Sequence, residues 1–228
     1  MGTDSKKKLV VRYEGILSWL YRLLGCNRIK VDKGNTLNRG NAFMKGCRIT
    51  IRGRNNLVEL GTNLSRLSNS TISIYGSNCK VILMGEGNLH YAHLHIEDDG
   101  GQIVLKPHVT ISGHTELAVI EGTKIVVGED CLFSSQISFR TGDSHSILDQ
   151  ATGKRINPSE DIIIGDHVWV GNGVKVLKGV SVGAHSIVAT GAVLSGGHYP
   201  SHSIIGGIGH GQVLKSGIDW TPQRLPIL

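Results

Sequence analysis

The sequence predicts an all-β solenoid, and three observations support this fold class. An apolar residue recurs at every sixth position towards the C-terminus, a looser repeat precedes it, and the composition is rich in glycine but poor in aromatic residues. The chain has 31 glycines among 228 residues, about twice the fraction in an average protein, and only 5% of its residues are aromatic. Such a composition suits many tight corners around a core of aliphatic side chains. At this length we expect one domain with short additions at its ends.

The six-residue repeat begins at Ile164 and is strict. Its apolar residues are Ile164, Val170, Val176, Val182, Val188 and Leu194. The next residue is mostly small, as at Gly165 and Ala189, and the residue four positions on is small or β-branched, as at Val168 and Ser186. A period of six matches neither the 3.6 residues of a helical turn nor the alternation of a single strand. It fits a short strand followed by a corner, three times in each turn of a triangular coil, with the apolar residue pointing inwards.

A looser repeat lies upstream of the six-residue repeat. Alternating strands begin at Ile49, Ile72, Leu94 and Leu117, and polar or glycine-rich corners follow them. Their spacing of 22 or 23 residues predicts wider coils of the same solenoid. We therefore expect the coils to run from about residue 31 to about residue 210, with a C-terminal tail at 211–228.

The register of the six-residue repeat is interrupted once. It is visible from Val127 to Phe139 and its next step falls at position 145, but the pattern resumes only at Ile164. The 19 extra residues predict an inserted loop, which we place at 143–161. Loops longer than about 12–15 residues without structure of their own are usually functional or disordered. The insertion is therefore the first candidate for a functional site.

Residues 1–30 form a segment of different character, basic and helical in pattern. Apolar side chains follow helical spacing over 13–24, Gly25 is suited to end that helix, and basic residues flank the stripe. Two interpretations are open: a short α-helix that caps the open end of the solenoid, or a basic amphipathic helix that contacts the inner membrane surface through residues 6–24. The stripe is too short to span a bilayer and no secretory signal is present, so we expect a cytoplasmic protein.

The cysteines and the net charge exclude few classes of function by themselves. The four cysteines lack C-x-x-C spacing, and we predict that they are buried small hydrophobes in a reduced compartment rather than metal ligands or disulfides. The formal charge is +6, but no strip of basic and aromatic residues supports nucleic-acid binding, so we expect no nucleic-acid partner. A phosphate-bearing cofactor, an anionic polysaccharide or a membrane surface explains the mild basicity equally well.

Several stretches in and after the inserted loop resemble the hexapeptide-repeat O-acetyltransferases, which include the maltose and galactoside types and especially the capsular polysaccharide types. The stretches are 143–147, 152–157 and 163–171, continued by 176–180. The similarity is tight over about 125–195, and upstream the likeness is one of pattern only. The resemblance implies a left-handed parallel β-helix, a homotrimer, and acetyl-CoA as co-substrate in the cleft between adjacent subunits, with no metal.

The chemistry of acetyl transfer needs few groups. Moving an acetyl group from a thioester to a sugar hydroxyl requires a base for the hydroxyl proton and a hydrogen-bond donor for the developing oxyanion. Histidine is the natural base near neutral pH, and His145 stands at the head of the inserted loop. The resemblance implies that His145 deprotonates the acceptor directly, without an acyl-enzyme. Asp143, two residues earlier, is a candidate to orient the imidazole.

The resemblance also implies where the two substrates bind. The cofactor-binding candidates are Trp169, Gly171, Asn172, Ala189 and Thr190, with Lys178 and Lys215 as candidates for the phosphate contact. The family commonly has a Thr-Lys pair after the last repeats, whereas this chain has Ser195-Gly196 at that point. The two lysines named above are therefore the candidates for the contact that the family's lysine makes. The family's usual turn is also changed in this chain, at Gly207–His210. The indole N–H of Trp169 is the candidate oxyanion or thioester donor, and packing at a subunit interface is the alternative role. His114 and Arg140 are the acceptor-binding candidates.

Five further histidines outside the inserted loop are candidate metal ligands or loop residues. The related γ-type carbonic anhydrases bind zinc through solenoid histidines with supporting acidic and amide groups. Such groups are absent around His90, His93 and His95, so we predict no metal site there. We expect His198 and His202 to lie in exposed loops.

The leading hypothesis is O-acetyl transfer from acetyl-CoA to a hydroxyl of a bacterial surface polysaccharide or its precursor. The alternatives are an acetyltransferase for a small sugar or antibiotic, and a non-catalytic assembly solenoid.

Overall fold

The computed structural model describes residues 26–40, 42–61 and 66–226. The predicted N-terminal helix, and with it both interpretations of residues 6–24, lies outside this part of the chain. Within it the secondary structure is β-strand and turn, without a helix. No helix long and apolar enough to cross a membrane is therefore found among the described residues.

Short strands stack into three sheets of nine, eight and nine strands, which form the sides of a triangular coil. Sheet A contains β1 (Arg28–Val31), β4 (Arg48–Ile51), β7 (Thr71–Ile74), β10 (Ala92–Ile96), β13 (Thr115–Val119), β16 (Ile137–Arg140), β19 (Lys175–Leu177), β22 (Val193–Leu194) and β25 (Ile208–Gly209). Sheet B contains β2 (Thr36–Asn38), β5 (Leu57–Leu60), β8 (Lys80–Leu83), β11 (Gln102–Leu105), β14 (Lys124–Val127), β17 (Ile162–Ile164), β20 (Val180–Val182) and β23 (Gly197–Tyr199). Sheet C contains β3 (Met44–Lys45), β6 (Arg66–Ser68), β9 (Asn88–His90), β12 (Thr110–Ile111), β15 (Leu132–Phe133), β18 (Trp169–Val170), β21 (Ile187–Val188), β24 (Ser203–Gly206) and β26 (Gln212–Ser216).

The chain visits sheets A, B and C in turn, so each coil adds one strand to each side. Every pairing is parallel except that of β26, which turns back antiparallel along β24. The all-β solenoid predicted from the repeats is confirmed. Its first strand begins at Arg28, three residues before the predicted start of the coils.

The core consists of the inward residues that the repeats identify. Every apolar position of the six-residue repeat from Ile164 to Leu194 is at most 1% exposed. Upstream, the strand residues Ile49, Ile72, Leu94 and Leu117 lie directly above one another in sheet A, as their spacing predicts. Each coil thus buries its aliphatic side chains against those of its neighbours, which is how a solenoid without a globular core is stabilised.

Three of the four cysteines belong to this core and one does not. Cys47, Cys79 and Cys131 are buried, and their thiols donate to backbone carbonyls. Burial raises the pKa of Cys131 to about 12, so its thiol stays protonated and unreactive. Cys26 is exposed, so the prediction that all four are buried is wrong for this residue, which precedes β1, the first described strand.

The inserted loop leaves the solenoid at the corner between sheets A and B. Ser138 of β16 pairs with Lys175 of β19, 37 residues later, whereas Lys175 pairs with Val193 after only 18 residues. The difference equals the predicted insertion of 19 residues. It falls between β16 and β17, so the loop proper runs over 141–161.

Candidate active site

The inserted loop is folded around the side chain of Asn157, which is 6% exposed. Its Nδ2 donates to Asp143 Oδ2 and to the backbone carbonyl of His145, both at 2.8 Å, and its Oδ1 accepts from the N–H of Ile147 at 2.8 Å. A hairpin beyond these residues is closed by a bridge between Leu148 and Arg155. One buried amide therefore holds the backbone at the carbonyl of His145 and at the N–H of Ile147, and it also binds the side chain of Asp143.

The base of the loop is tied to the A/B corner by two ion pairs. The Asp143 carboxylate accepts from Lys178 Nζ at 2.6 Å, and the Lys178 hydrogen bond, followed by that of Asn157, holds the pKa of Asp143 below its usual value. The carboxylate of Glu121 pairs with Arg155, and this hydrogen bond, with that of the Ser159 backbone N–H at 3.1 Å, lowers the pKa of Glu121 to about 2. Both pairs connect the loop to neighbouring coils.

This geometry differs from the expectation for Asp143 and Lys178. The Asp143 carboxylate binds Lys178 and Asn157, and among the described residues it has no hydrogen bond to the imidazole of His145. Lys178, a candidate for a phosphate contact, is the partner that secures the loop. Asp143 and Lys178 meet because both occupy the A/B corner of the solenoid, one coil apart. The side chain of His145 is exposed above them.

A second group of candidate residues lies at the corner between sheets C and A. Trp169 is 39% exposed on β18, and Gly171 and Asn172 follow it at the corner. The Asn172 amide donates to the carbonyl and hydroxyl oxygens of Ser135, each at 3.0 Å. A Cβ on Gly171 would lie 2.7 Å from the backbone nitrogen of Thr190, so only glycine allows the two coils to approach this closely.

Beside Trp169 lies a cavity of about 260 Å³ on sheet C. Its walls are formed by Ser112, Leu132, Ser134, Trp169, Trp220, Thr221 and Pro222. The ring centroids of Trp169 and Trp220 are 6.0 Å apart. Trp220 comes from the C-terminal tail and was not among the predicted site residues; it is the single aromatic residue of 211–228, and this is the signal that would have identified it. Ala189 lies on the next coil, and Lys215 is exposed on β26 of the same sheet.

The two acceptor-binding candidates lie at opposite edges of sheet A, since His114 directly precedes β13 and Arg140 ends β16. The His114 ring lies 4.8 Å from that of His93 at the C/A corner, and burial, then the charge of His114, lowers the pKa of His93. Arg140 ends β16 at the A/B corner and pairs with Glu116 at 2.8 Å. His198 and His202 are exposed as predicted, although His198 belongs to β23 rather than to a loop.

The candidate residues therefore form two half-sites on opposite edges of sheet A. Asp143, His145 and Lys178 lie at the A/B corner, whereas Trp169, Gly171, Asn172, Ala189 and Thr190 lie on sheet C and at the C/A corner. The four residues of β16 span about 13 Å at about 3.3 Å per residue, far beyond hydrogen-bond reach. Since the loop is anchored at its own corner, one chain does not bring the base and the tryptophan together.

Known proteins share both the sequence pattern and the shape. The family described as bacterial transferase hexapeptide (six repeats) matches residues 161–196. A polysialic acid O-acetyltransferase of Neisseria meningitidis is 33% identical over 147 residues, which is 64% of this chain and 66%, just under two thirds, of that relative. The crystal structure of the polysialic acid-specific acetyltransferase NeuO has a TM-score of 0.82 at 25% identity and covers 90% of this chain and 93% of its own.

A further solved structure gives the same result. The polysialic acid O-acetyltransferase OatWY has a TM-score of 0.68 at 25% identity, over 88% of this chain and 90% of its own. The likeness to NeuO confirms the left-handed β-helix that the resemblance implied.

Proposed function

We propose, because this chain belongs to the hexapeptide-repeat family of bacterial transferases, that it transfers an acetyl group from acetyl-CoA to a hydroxyl of a bacterial surface polysaccharide or its precursor. The observation that carries the proposal is the pair of half-sites. An exposed histidine stands on a braced loop, and an apolar cavity beside an exposed tryptophan offers a place for the thioester end of acetyl-CoA. The polysaccharide O-acetyltransferases to which the chain is similar support the same reaction class.

In the proposed reaction, His145 accepts the proton of the acceptor hydroxyl while the hydroxyl oxygen attacks the thioester carbonyl carbon. A tetrahedral oxyanion forms, and we assign the indole N–H of Trp169 as its donor. The C–S bond then breaks, the acetyl group remains on the sugar oxygen, and the thiolate of coenzyme A takes the proton from His145. No acyl-enzyme forms. Much of the rate comes from holding the two substrates in contact.

We further propose that the working enzyme is a homotrimer whose active sites lie between chains. A second copy that places its A/B corner against the C/A corner of the first would join His145 of one chain to Trp169 of its neighbour. Threefold symmetry repeats this contact three times and closes the ring. Ile208 and Leu214, which are 85% and 60% exposed near the C/A corner of the last coil, are apolar surface that such a contact would cover.

The charge distribution favours an anionic polymer as the acceptor. Residues 26–80 contain ten lysines and arginines against two acidic residues, whereas residues 81–228 contain nine against fourteen. A groove of about 620 Å³ on sheet C runs along the basic coils, lined by Lys45, Arg66 and His90 among others, and ends at Ser112, which also lines the cavity beside Trp169. A carboxylate-bearing chain lying in this groove would reach the reaction centre, and its binding would weaken with salt.

An acceptor comparison tests this proposal. Release of free thiol from acetyl-CoA is followed with polysialic acid, a neutral polysaccharide and monosaccharides as acceptors, at low and high salt. We expect turnover on the anionic polymer, with a KM for the polymer that rises several-fold between about 50 and 300 mM salt. Activity confined to monosaccharides would assign the enzyme to small sugars, and failure to bind acetyl-CoA in a calorimeter would leave a non-catalytic solenoid.

A further inference from the structure

Three histidines form a column along the corner between sheets B and C, on the side of the solenoid away from sheet A. His167, His185 and His202 occupy the same corner of successive coils, with φ angles of 53°, 55° and 57°. The ring centroids of His167 and His185 are 5.2 Å apart, and those of His185 and His202 are 4.9 Å apart. The acyl-transfer chemistry proposed above uses none of them.

The C-terminal tail brings a carboxylate to this column. Asp219 Oδ1 lies 3.4 Å from His185 Nδ1 and 3.7 Å from His167 Nε2. The three donor atoms all lie within 4.8 Å of one another. Two imidazoles and a carboxylate therefore converge on one point of the surface.

The nitrogen of His185 that faces Asp219 is buried without a hydrogen bond. Although Nδ1 is 3.4 Å from the carboxylate oxygen, the two are not aligned for a hydrogen bond, and no other described residue supplies a partner. Buried polar atoms in folded proteins nearly always have a partner, so an unsatisfied one needs an explanation. A ligand between the nitrogen and the carboxylate provides it.

We propose that His167, His185 and Asp219 bind a divalent transition metal, with zinc the ion that fits best. Ligands at about 2.0–2.1 Å in a tetrahedral site place neighbouring donor atoms about 3.3 Å apart, close to the 3.4 and 3.7 Å between Asp219 and the two imidazoles. Two imidazoles and one carboxylate are a donor set that suits zinc. Water completes the coordination. His167 Nε2–H donates to the carbonyl oxygen of Trp220 at 2.9 Å in the metal-free chain, and the metal would take the place of this proton.

The site would fasten the tail to the solenoid. Trp220 already stacks on the His167 ring at 4.3 Å between centroids, and its indole N–H donates to the His167 carbonyl at 2.8 Å. Since Trp220 also lines the cavity beside Trp169, a metal held by the adjacent Asp219 would stabilise one wall of that cavity. Metal binding does not depend on the acyl-transfer proposal, and its test does not use enzyme activity.

The test is a titration of the tag-free full chain, freed of metal with a chelator, with zinc chloride in a calorimeter and with cobalt chloride in a spectrophotometer. We expect one zinc per chain, visible absorption bands of tetrahedral cobalt, and a rise in Tm with zinc. Asp219→Asn and His185→Ala should each weaken zinc binding by at least about tenfold. His108→Ala is the matched control, because His108 is an exposed corner histidine that also faces a carboxylate, that of Glu86.

Two outcomes would overturn the proposal. One is the absence of saturable zinc binding to the intact chain. The other is unchanged zinc affinity in both Asp219→Asn and His185→Ala, which would move the ion to another group such as a thiol. Circular dichroism of the metal-free variants verifies that they are folded, and Asp219→Asn alters only an exposed side chain of the tail, so its result stands even if His185→Ala does not fold.

Discussion

The side-chain amide of Asn157 donates a hydrogen bond of 2.8 Å to the backbone carbonyl of His145. The same amide group also binds Asp143 and the N–H of Ile147, so a single buried residue determines where the backbone of the proposed base lies. Asn157 is a positioning residue that acts through His145.

Asn157→Ala should therefore lower kcat while leaving the KM for acetyl-CoA nearly unchanged. The substitution leaves the His145 carbonyl and the Ile147 N–H without their partner, which costs about 1–3 kcal/mol and lets the loop move. We expect a fall in kcat of about 10–100-fold, since small displacements of a catalytic group have effects of this size. Steady-state kinetics with each substrate varied separates the two constants, and an equal change in both would indicate general damage instead.

The Glu121–Arg155 pair predicts how the loop responds to acid. The pKa of Glu121 is lowered from 4.5 to about 2, so the pair contributes stability that is fully present above pH 4.5 and is lost as the pH falls towards 2. Thermal melts of the wild type and Glu121→Gln should differ above about pH 5 and converge near pH 2. A Tm difference that stays constant over this range would show that protonation of Glu121 does not govern the pair.

Trp220→Ala should weaken the binding of acetyl-CoA. The ring forms one wall of the cavity beside Trp169 and stacks on His167, so its removal opens the cavity and frees the tail. We expect the KM for acetyl-CoA to rise by about 3–10-fold, in line with the loss of one aromatic contact. Leu225→Ala is the matched control, because Leu225 is a 65% exposed apolar residue of the same tail. Equal effects of both substitutions would contradict a specific role for Trp220.

Mixing two inactive variants tests whether the half-sites belong to different chains. One variant carries His145→Ala, and the other carries Trp169→Ala with Thr190→Trp, which fills the groove at the C/A corner. If each site takes one half from each of two neighbouring chains, trimers co-assembled in equal amounts regain about a quarter of the wild-type activity, because about a quarter of the sites join two intact halves. Native mass spectrometry verifies that the oligomers are mixed. If these mixed oligomers remain as inactive as their parents, both halves of the site lie within one chain.

The sequence predicts the solenoid well because each coil repeats the same local requirement. An inward apolar residue and a small corner residue suffice to define the register, and Ser138 and Lys175 pair where the 19-residue insertion requires. The partner of Asp143 was missed for the opposite reason. Lys178 follows it by 35 residues, and only the stacking of the coils around the insertion brings the two side chains together.

The C-terminal tail and the histidine column differ in how far the sequence predicts their positions. Trp220 reaches His167 because β26 reverses direction along β24, and no repeat in the sequence signals that reversal. His167, His185 and His202, in contrast, are spaced by 18 and 17 residues, close to the length of one coil. The register of the six-residue repeat, applied to polar as well as apolar residues, would have placed these three histidines on one edge.

The most direct test of the account is the turnover number of His145→Ala on polysialic acid with acetyl-CoA. His108→Ala serves as the matched control, because it removes an exposed histidine at the B/C corner. Loss of the general base predicts a fall in kcat of about 10²–10⁴-fold, with a Tm and an affinity for acetyl-CoA close to those of the wild type. A His145→Ala enzyme that retains wild-type turnover would contradict the assignment of His145 as the base.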